Sequence, residues 1–594
     1  MQWRRRAILA AVLAVAANVV VTVQPREPRV RVDRHVEARM RDGVILRADV
    51  YRPDAEGRFP ALLQRTPYSK HPQAEDNQFS RLAALGYVVV VQDTRGRYMS
   101  DGVARAHDEG EDGYDTVEWV ARLPYVNGRV GMFGGSYSAT TQLLAAPLRP
   151  PSLVALFPSA SYASRYDMVF QGGAFYLYDG LSWNLGQGVD VRRRRETPQV
   201  SRDGAIGMSD EERALFRGAW LWHVPLKTMS AMRVGEFSPA YFDMLEHPSY
   251  DAFWETFDVA ARHKEFEVPA YHLTGWYDTL LNGTLANFAG LRASARTEAA
   301  RQGQRLIVGP WTHARPAAGT TSIGGVDYGA DAGFDSAGLM RDWFDYWLRD
   351  GSDAILSRAP VRIFVMGENR WRDEQEWPLA RARDTPYYLH SGGRANTRDG
   401  DGTLHIEAPG DQPPDQYVYD PWNPVPTGQT GVYSRQPDDR RDVQTRADVL
   451  VYTSAPLTAP LEVTGPVTLH LWADSSARDT DFTATLVDVL PDGTARALTD
   501  GILRARYRHS KTTPALLEPG RSEEFRIEVG ATSNVFLPGH RIRLEVSSSN
   551  FPRFDRNPNT GGVFGEETEL RRATQTVHHT EARPSRLVLP VVPR

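Results

Sequence analysis

The 594-residue chain contains no cysteine. That absence excludes disulfides, thiolate catalysis, cysteine metal sites and a lipid-modified cysteine anchor. Lysine is scarce as well: it stands only at Lys70, Lys227, Lys264 and Lys511, and the remaining basic charge is arginine. Neither sign of charge dominates. With a net charge of −5 and acids and bases interspersed, the chain lacks the concentrated basic face of a nucleic-acid binder. It has no HExxH and no clustered-histidine pattern, so neither a metal nor a cofactor is expected. Beyond the N-terminal segment no stretch is long and apolar enough to span a membrane.

What is present describes a foldable chain, 41% apolar and 24% charged. Its length calls for two to four domains, with cores large enough for an exported protein to manage without disulfides. The start reads as a targeting segment over residues 1–26. Arg4, Arg5 and Arg6 give a charged region, Ala7 to Ala17 an apolar one, and Ala14-Val15-Ala16 a small-x-small cleavage site. The apolar stretch runs on to Val23, so an uncleaved N-terminal anchor is the alternative to export.

Residues 30 to 53 read as a hairpin around Asp42-Gly43, a dipeptide suited to two-residue turns. Short apolar runs follow, most of them with β-branched residues: Ala61 to Leu63, Tyr87 to Val91, Arg129 to Phe133, Leu153 to Phe157, Ala270 to Thr274 and Leu306 to Val308. Helical patterns separate them, as at Thr116 to Leu123, and a last one runs from Ser336 to Asp350. This alternation predicts a mostly parallel sheet covered by helices. The interval 161–262 is rich in aromatics, among them Phe170, Phe175, Tyr176, Trp183 and Trp254, at closer to helical spacing. It reads as a helical insertion over the active edge of the sheet, or as peripheral helices whose aromatics fill a small core. From about Ala359 short alternating strands and Pro/Gly turns take over, predicting an all-β sandwich or jelly roll. The expected boundaries are 27–160 and 263–352 for the α/β part, 161–262 for the cap and 353–594 for the β part.

The stretch GMFGGSYSATTQ carries the chemistry. Ser136 sits between a strand and a helix, flanked by the small residues Gly134, Gly135, Ser138 and Ala139, as a sharp nucleophile-bearing turn requires. A serine hydroxyl needs a base to take its proton and a third group to orient that base. Asp278 follows the strand ending at Thr274, and His313 follows the strand ending at Val308. In a parallel sheet all three emerge at the carboxyl edge, where ligands bind. The developing oxyanion needs donors, one of them the Tyr137 backbone N–H. Tyr68, in the loop after Leu63, is either a second donor or an aromatic packing residue. The strand pattern around His578-His579 places that pair in the β domain.

At these residues the chain resembles the cocaine-esterase-like group of α/β-hydrolases, allied to X-prolyl dipeptidyl peptidases and α-amino-acid ester hydrolases. The resemblance is carried by MRDGVILRADVYRP, TPYSK, VQDTRGRYMSDG, GGSYSA, GWYDT, VGPWTHA and DTDFTATLVDVLPDG, in order from about residue 30 to the C-terminus. It implies an α/β-hydrolase fold with a helical cap insertion, followed by an all-β jelly-roll domain. It also implies Ser136 as nucleophile, His313 as base and Asp278 as orienting acid, with the Tyr68 hydroxyl and the Tyr137 amide as oxyanion hole. Two departures matter. Ala139 replaces a glycine of many members, and Ser138 and Thr279-Leu280-Leu281 are uncharged where amino-acid ester hydrolases carry acids. A desolvated ammonium without a carboxylate is costly. Substrates with a free α-amine are therefore disfavoured, unless Asp167 or Asp179 of the cap substitutes.

The expected activity is hydrolysis of carboxylic esters, or amides, through an acyl-enzyme. The substrate is a small molecule, with Leu280 and Trp183 in an apolar acyl pocket. Two rivals are an X-prolyl dipeptidyl aminopeptidase and a secreted glycan-binding protein whose hydrolase part is inactive.

Overall fold

The computed structural model describes residues 29–593 except 72–76, 105–108, 197–207, 230–238, 314–320 and 429–434. The targeting segment expected over 1–26 therefore lies outside the described residues. Among those described, no helix is long and apolar enough to cross a membrane.

The first sheet opens with β1 (Val30–Arg39), β2 (Ile45–Pro53), β3 (Phe59–Thr66), β4 (Val88–Asp93), β5 (Val126–Gly135) and β6 (Leu153–Ser159). Next come a small cap hairpin, β7 (Phe170–Gln171) and β8 (Ala174–Phe175), then β9 (Tyr271–Gly275) and β10 (Arg305–Gly309). A second small hairpin, β11 (Ser322–Ile323) and β12 (Val326–Asp327), precedes β13 (Val361–Val365) and β14 (Arg370–Glu374). Ten of these strands pair in the order β1-β2-β4-β3-β5-β6-β9-β10-β13-β14. From β4 to β13 the pairing is parallel. The run VVVVQD of β4 is buried along its whole length, as a strand covered on both faces must be.

The β1–β2 turn differs from the two-residue expectation. The Met40 amide donates to Val44 O at 2.8 Å and the Gly43 amide to Met40 O at 2.9 Å, enclosing a three-residue loop. Gly43 closes it at φ 89, a conformation that glycine adopts without strain.

The helices α1 (Gln78–Ala84), α2 (Glu109–Ala121) and α3 (Tyr137–Ala145) belong to the first half of the sheet. The cap supplies α4 (Arg165–Val169), α5 (Leu177–Glu196), α6 (Asp210–Leu215), α7 (Pro239–Glu246) and α8 (Ala252–Glu255). After it come α9 (Leu281–Ser294), α10 (Glu298–Gln302) and α11 (Ser336–Arg349). One face of α11 buries Leu339, Met340, Trp343, Phe344 and Leu348. Phe344 lies so close to β5 that a Cβ on Gly131 would come within 2.4 Å of its ring. On the opposite face α2 and α3 pack together, with Gly113 against Ala145.

Two strands beyond the boundary expected at 353 pair with the first sheet. β13 continues the parallel ladder, Leu306 facing Val361 and Val308 facing Ile363, and β14 pairs antiparallel on β13. A five-residue run such as VRIFV looks the same whether it completes one sheet or starts another. Among the described residues twelve further strands form the strand-rich C-terminal domain. Its longest pair, Leu461–Ser475 with Glu523–Phe536, shows the expected alternation, with Val467, Leu469, Leu471 and Ala473 buried in one core. The strand Asp481–Val489 is instead buried on both sides. Its residue Thr485 pairs with Glu545, whose carboxylate is held by Arg440 and Gln444 from the loop before Leu450.

Most cap aromatics fill a core of their own. Phe170, Phe175 and Trp254 are fully buried, and Phe564 of the β domain meets Phe170 at 5.5 Å and Phe175 at 6.0 Å. Trp183 and Tyr176 face the pocket instead. Both readings of the aromatics hold, for different residues.

Candidate active site

Ser136 follows β5 and precedes α3 with φ 58 and ψ −124, a strained backbone conformation for a side chain bearing a Cβ. Its amide donates to Ser159 O of the neighbouring strand at 2.9 Å. Its carbonyl accepts from the Ala139 and Thr140 amides, so the turn is held on both sides. The substituted Ala139 is fully buried and accommodated.

Two later strand ends are zipped together beside it. The Trp276 amide donates to Gly309 O at 2.8 Å and the Tyr277 amide to Trp311 O at 2.9 Å. Gly275 permits this approach, since a Cβ there would sit 2.1 Å from Trp311 O. The zipper brings Asp278 and His313 face to face: His313 Nδ1 is 2.9 Å from Asp278 Oδ1, and His313 Nε2 is 3.0 Å from Ser136 Oγ. Asp278 also takes the Leu280 amide at 2.8 Å, so the residue ends a strand and steadies the turn into α9 while facing the imidazole. Burial alone would push the His313 imidazolium down; the charge and hydrogen bond of Asp278, helped by Asp179, outweigh it and hold the group above its ordinary 6.5.

The Tyr68 loop is anchored by the TPYSK and RGR motifs. Lys70, buried, lies 3.2 Å from Asp93 and 3.8 Å from Asp49, and its amide donates to Asp93 at 2.7 Å. Arg97 donates to Pro67 O, and also reaches Gln187 O and Asp190 of α5. These links were not read from the sequence, because nothing local pairs a lysine or arginine with an acid tens of residues away. Tyr68 exposes 42% of its surface, and its hydroxyl oxygen takes the Trp183 indole N–H. Burial raises the phenol above its ordinary value, against hydrogen bonds from Trp183 and Ser136. The Tyr137 amide opens α3, where no intrahelical acceptor exists for it. Its phenol donates to Glu109 at 2.7 Å.

Above Ser136 lies a pocket lined by Tyr162, Met168, Tyr176, Trp183 and Leu280, with Thr279 at its edge. Both residues expected there, Leu280 and Trp183, line it. Arg435 and Arg553 of the β domain also reach it, tied to each other through Asp500, a contribution that no local motif signals. Asp167 is engaged by Lys511 at 3.2 Å. Asp179 forms no ion pair among the described residues, and burial pushes its carboxyl up to about 6 despite the pull of His313 and Arg165. His578 and His579 lie far along the chain in the β-domain strand Ala573–Thr580, bonded to Asp474 and Asp415.

The family model for the X-Pro dipeptidyl-peptidase (S15 family) matches residues 42–315, and that for the X-Pro dipeptidyl-peptidase C-terminal non-catalytic domain matches residues 355–588. The chain is 39% identical over 576 residues to cocaine esterase of Rhodococcus sp. (strain MB1 Bresler), covering 93% of this chain and 97% of that one. Among solved structures it is similar to an aminopeptidase from the marine sediment archaeon Thaumarchaeota archaeon, at 26% identity and a TM-score of 0.80 over 97% of this chain and 99% of that one. It is equally similar to an α-amino acid ester hydrolase, at 26% identity and a TM-score of 0.80 over 97% of this chain and 100% of that one.

Proposed function

Because the chain belongs to the cocaine esterase family of serine hydrolases, with its S15-type and C-terminal domains, we propose that it cleaves carboxylic esters through Ser136, His313 and Asp278. The observation that carries this reading is the continuous chain Ser136 Oγ, His313 Nε2, His313 Nδ1, Asp278 Oδ1, with contacts of 3.0 and 2.9 Å. His313 takes the Ser136 proton as Oγ attacks the ester carbonyl, and Asp278 stabilises the imidazolium that results. The tetrahedral oxyanion rests on the Tyr68 hydroxyl and the Tyr137 amide, each donor lowering the barrier by about 3 kcal/mol. The leaving alcohol receives the proton from His313. Water, deprotonated by the same imidazole, then releases the acid from Ser136. The pocket under the cap holds the acyl group against Trp183 and Leu280.

A second reading rests on Asp179. The solved neighbours include an aminopeptidase and an α-amino acid ester hydrolase, and a pocket carboxylate without an ion pair is suited to an ammonium on the acyl group. The test is direct. Purified protein is assayed side by side on a p-nitrophenyl acyl ester, an α-amino acid ester and an X-Pro anilide. Ser136→Ala loses all turnover and all labelling by a fluorophosphonate; retained turnover in that variant overturns the nucleophile assignment.

A further inference from the structure

Asp179, Trp183, Gln187 and Asp190 recur along α5 at helical spacing; the first two line the pocket, and the last two meet Arg97. Gln187 and Asp190 are held by Arg97, whose Nη2 lies 3.2 Å from Asp190 and whose Nε reaches Pro67 O, next to Tyr68. Trp183, one turn earlier, touches both residues read as oxyanion donors. Its indole Nε1 donates to the Tyr68 hydroxyl oxygen at 3.0 Å. Its ring stacks on that of Tyr137, with centroids 5.9 Å apart and planes 11° from parallel. Tyr137 is fixed from below by Glu109, which in turn lies 2.8 Å from the fully buried Arg65.

The chemistry of the indole makes this contact directional. An indole N–H donates and cannot accept, so it occupies a lone pair of the Tyr68 oxygen and leaves the phenolic hydrogen to point elsewhere. A hydroxyl that accepts one hydrogen bond becomes a stronger donor in the next. We propose that Trp183 is a positioning residue of the cap that aims the Tyr68 hydroxyl at the oxyanion, so that the hole is complete only while α5 is docked on the Tyr68 loop. This rests on the reading of Tyr68 as an oxyanion donor. It gives the cap a part in the acyl-transfer step in addition to walling the pocket.

The experiment is a double-mutant cycle on a p-nitrophenyl butyrate assay, with Trp183→Phe, Trp183→Met, Tyr68→Phe and the two combinations. Trp183→Phe keeps an aromatic ring against Tyr137 but loses the donor together with one ring of the indole. It is expected to lower kcat 5- to 50-fold with KM within about two-fold, and Trp183→Met to lower it at least as far. Tyr68→Phe is expected to cost more than 100-fold. In the Tyr68→Phe background neither Trp183 change lowers kcat further, since the hydroxyl it aims is gone. Affinity for an alkyl trifluoromethyl ketone, which binds as the tetrahedral adduct, falls in step with kcat/KM across the set. Full kcat in Trp183→Phe beside a crippled Tyr68→Phe overturns the proposal and leaves the oxyanion reading standing. Additive losses in the double variants also overturn it, assigning the indole to the pocket wall alone. Unimpaired Tyr68→Phe overturns the oxyanion reading itself.

Discussion

A single carboxylate oxygen of Asp278 faces two partners, the His313 ring at 2.9 Å and the Leu280 backbone amide at 2.8 Å. The amide fixes the carboxylate before any substrate arrives, and the carboxylate fixes the imidazole. Asp278→Asn either keeps a neutral oxygen facing both the Leu280 amide and the ring or, flipped, turns its NH2 towards both. In either case the imidazole loses the charge that stabilises its protonated form, and in the flipped case its tautomer as well. kcat is expected to drop on the order of 10⁴-fold with little change in thermal stability. Steady-state kinetics beside a melting curve check it; a loss below ten-fold would remove Asp278 from the proton path.

Asp179 links the acid limb of activity to the pocket. As the proposed base, His313 acts only when neutral, and its folded value lies above 6.5, so kcat/KM should rise with pH through a limb above that of an ordinary imidazole. Asp179→Asn removes one of the charges holding it there, so the limb moves to lower pH. The stability effect has its own sign. Asp179 is raised from 3.8 to about 6 on folding, so its carboxylate opposes folding above about pH 6, and the penalty fades as pH falls towards 4. Asp179→Asn should therefore stabilise the protein at pH 7 by about 2 kcal/mol, discounted for partial exposure, and by nothing near pH 4. If amine-bearing esters are the substrates, the same variant loses them selectively while neutral esters are spared.

The Tyr68 loop should fail with its lysine. Lys70 is one of only four lysines, and it is buried beside Asp93 and Asp49. Lys70→Met leaves these carboxylates buried with less cationic compensation, at a cost of about 3–5 kcal/mol. It also releases the segment that presents Tyr68. Denaturant unfolding should show the stability loss. Turnover measured well below the melting temperature should fall further than the unfolded fraction accounts for; proportional losses would make Lys70 a purely structural residue.

The parts of this site that could be read from the sequence are those fixed by local rules. The glycines around Ser136 specify a turn, and β-branched runs specify buried parallel strands. Once the sheet is parallel, Asp278 and His313 must emerge at one edge. What escaped depends on contacts between segments far apart. Arg97 joins the Tyr68 loop to Asp190, Trp183 reaches Tyr68 and Tyr137 together, and Arg435 and Arg553 close the pocket from the β domain. None of these pairs has a spacing signature, because a cap and a C-terminal domain dock by surface shape rather than by periodicity. The pairing of β13 with β10 has the same origin: strand pairing partners are not written in a strand of five residues.

The turn that carries Ser136 offers a contrast between two small residues. Gly134 has φ 128, and a Cβ there would lie 2.6 Å from the Ser138 Cβ. Gly134→Ala would meet both a backbone conformation that L side chains rarely adopt and a contact too short to persist. Because Ser138 is in the first turn of α3, relief must come from displacing that helix relative to β5, and with it Ser136. Stability should fall by at least ~2 kcal/mol, and kcat by more than 100-fold in the protein that remains folded. Ala139 is the opposite case. It is fully buried within α3, and its amide, which any residue but proline keeps, donates to Ser136 O at 2.9 Å. Ala139→Gly should cost about 1 kcal/mol of helix stability and leave turnover near wild type. Equal kinetic losses in the two variants would mean that the elbow depends on packing at both positions rather than on the backbone freedom of Gly134.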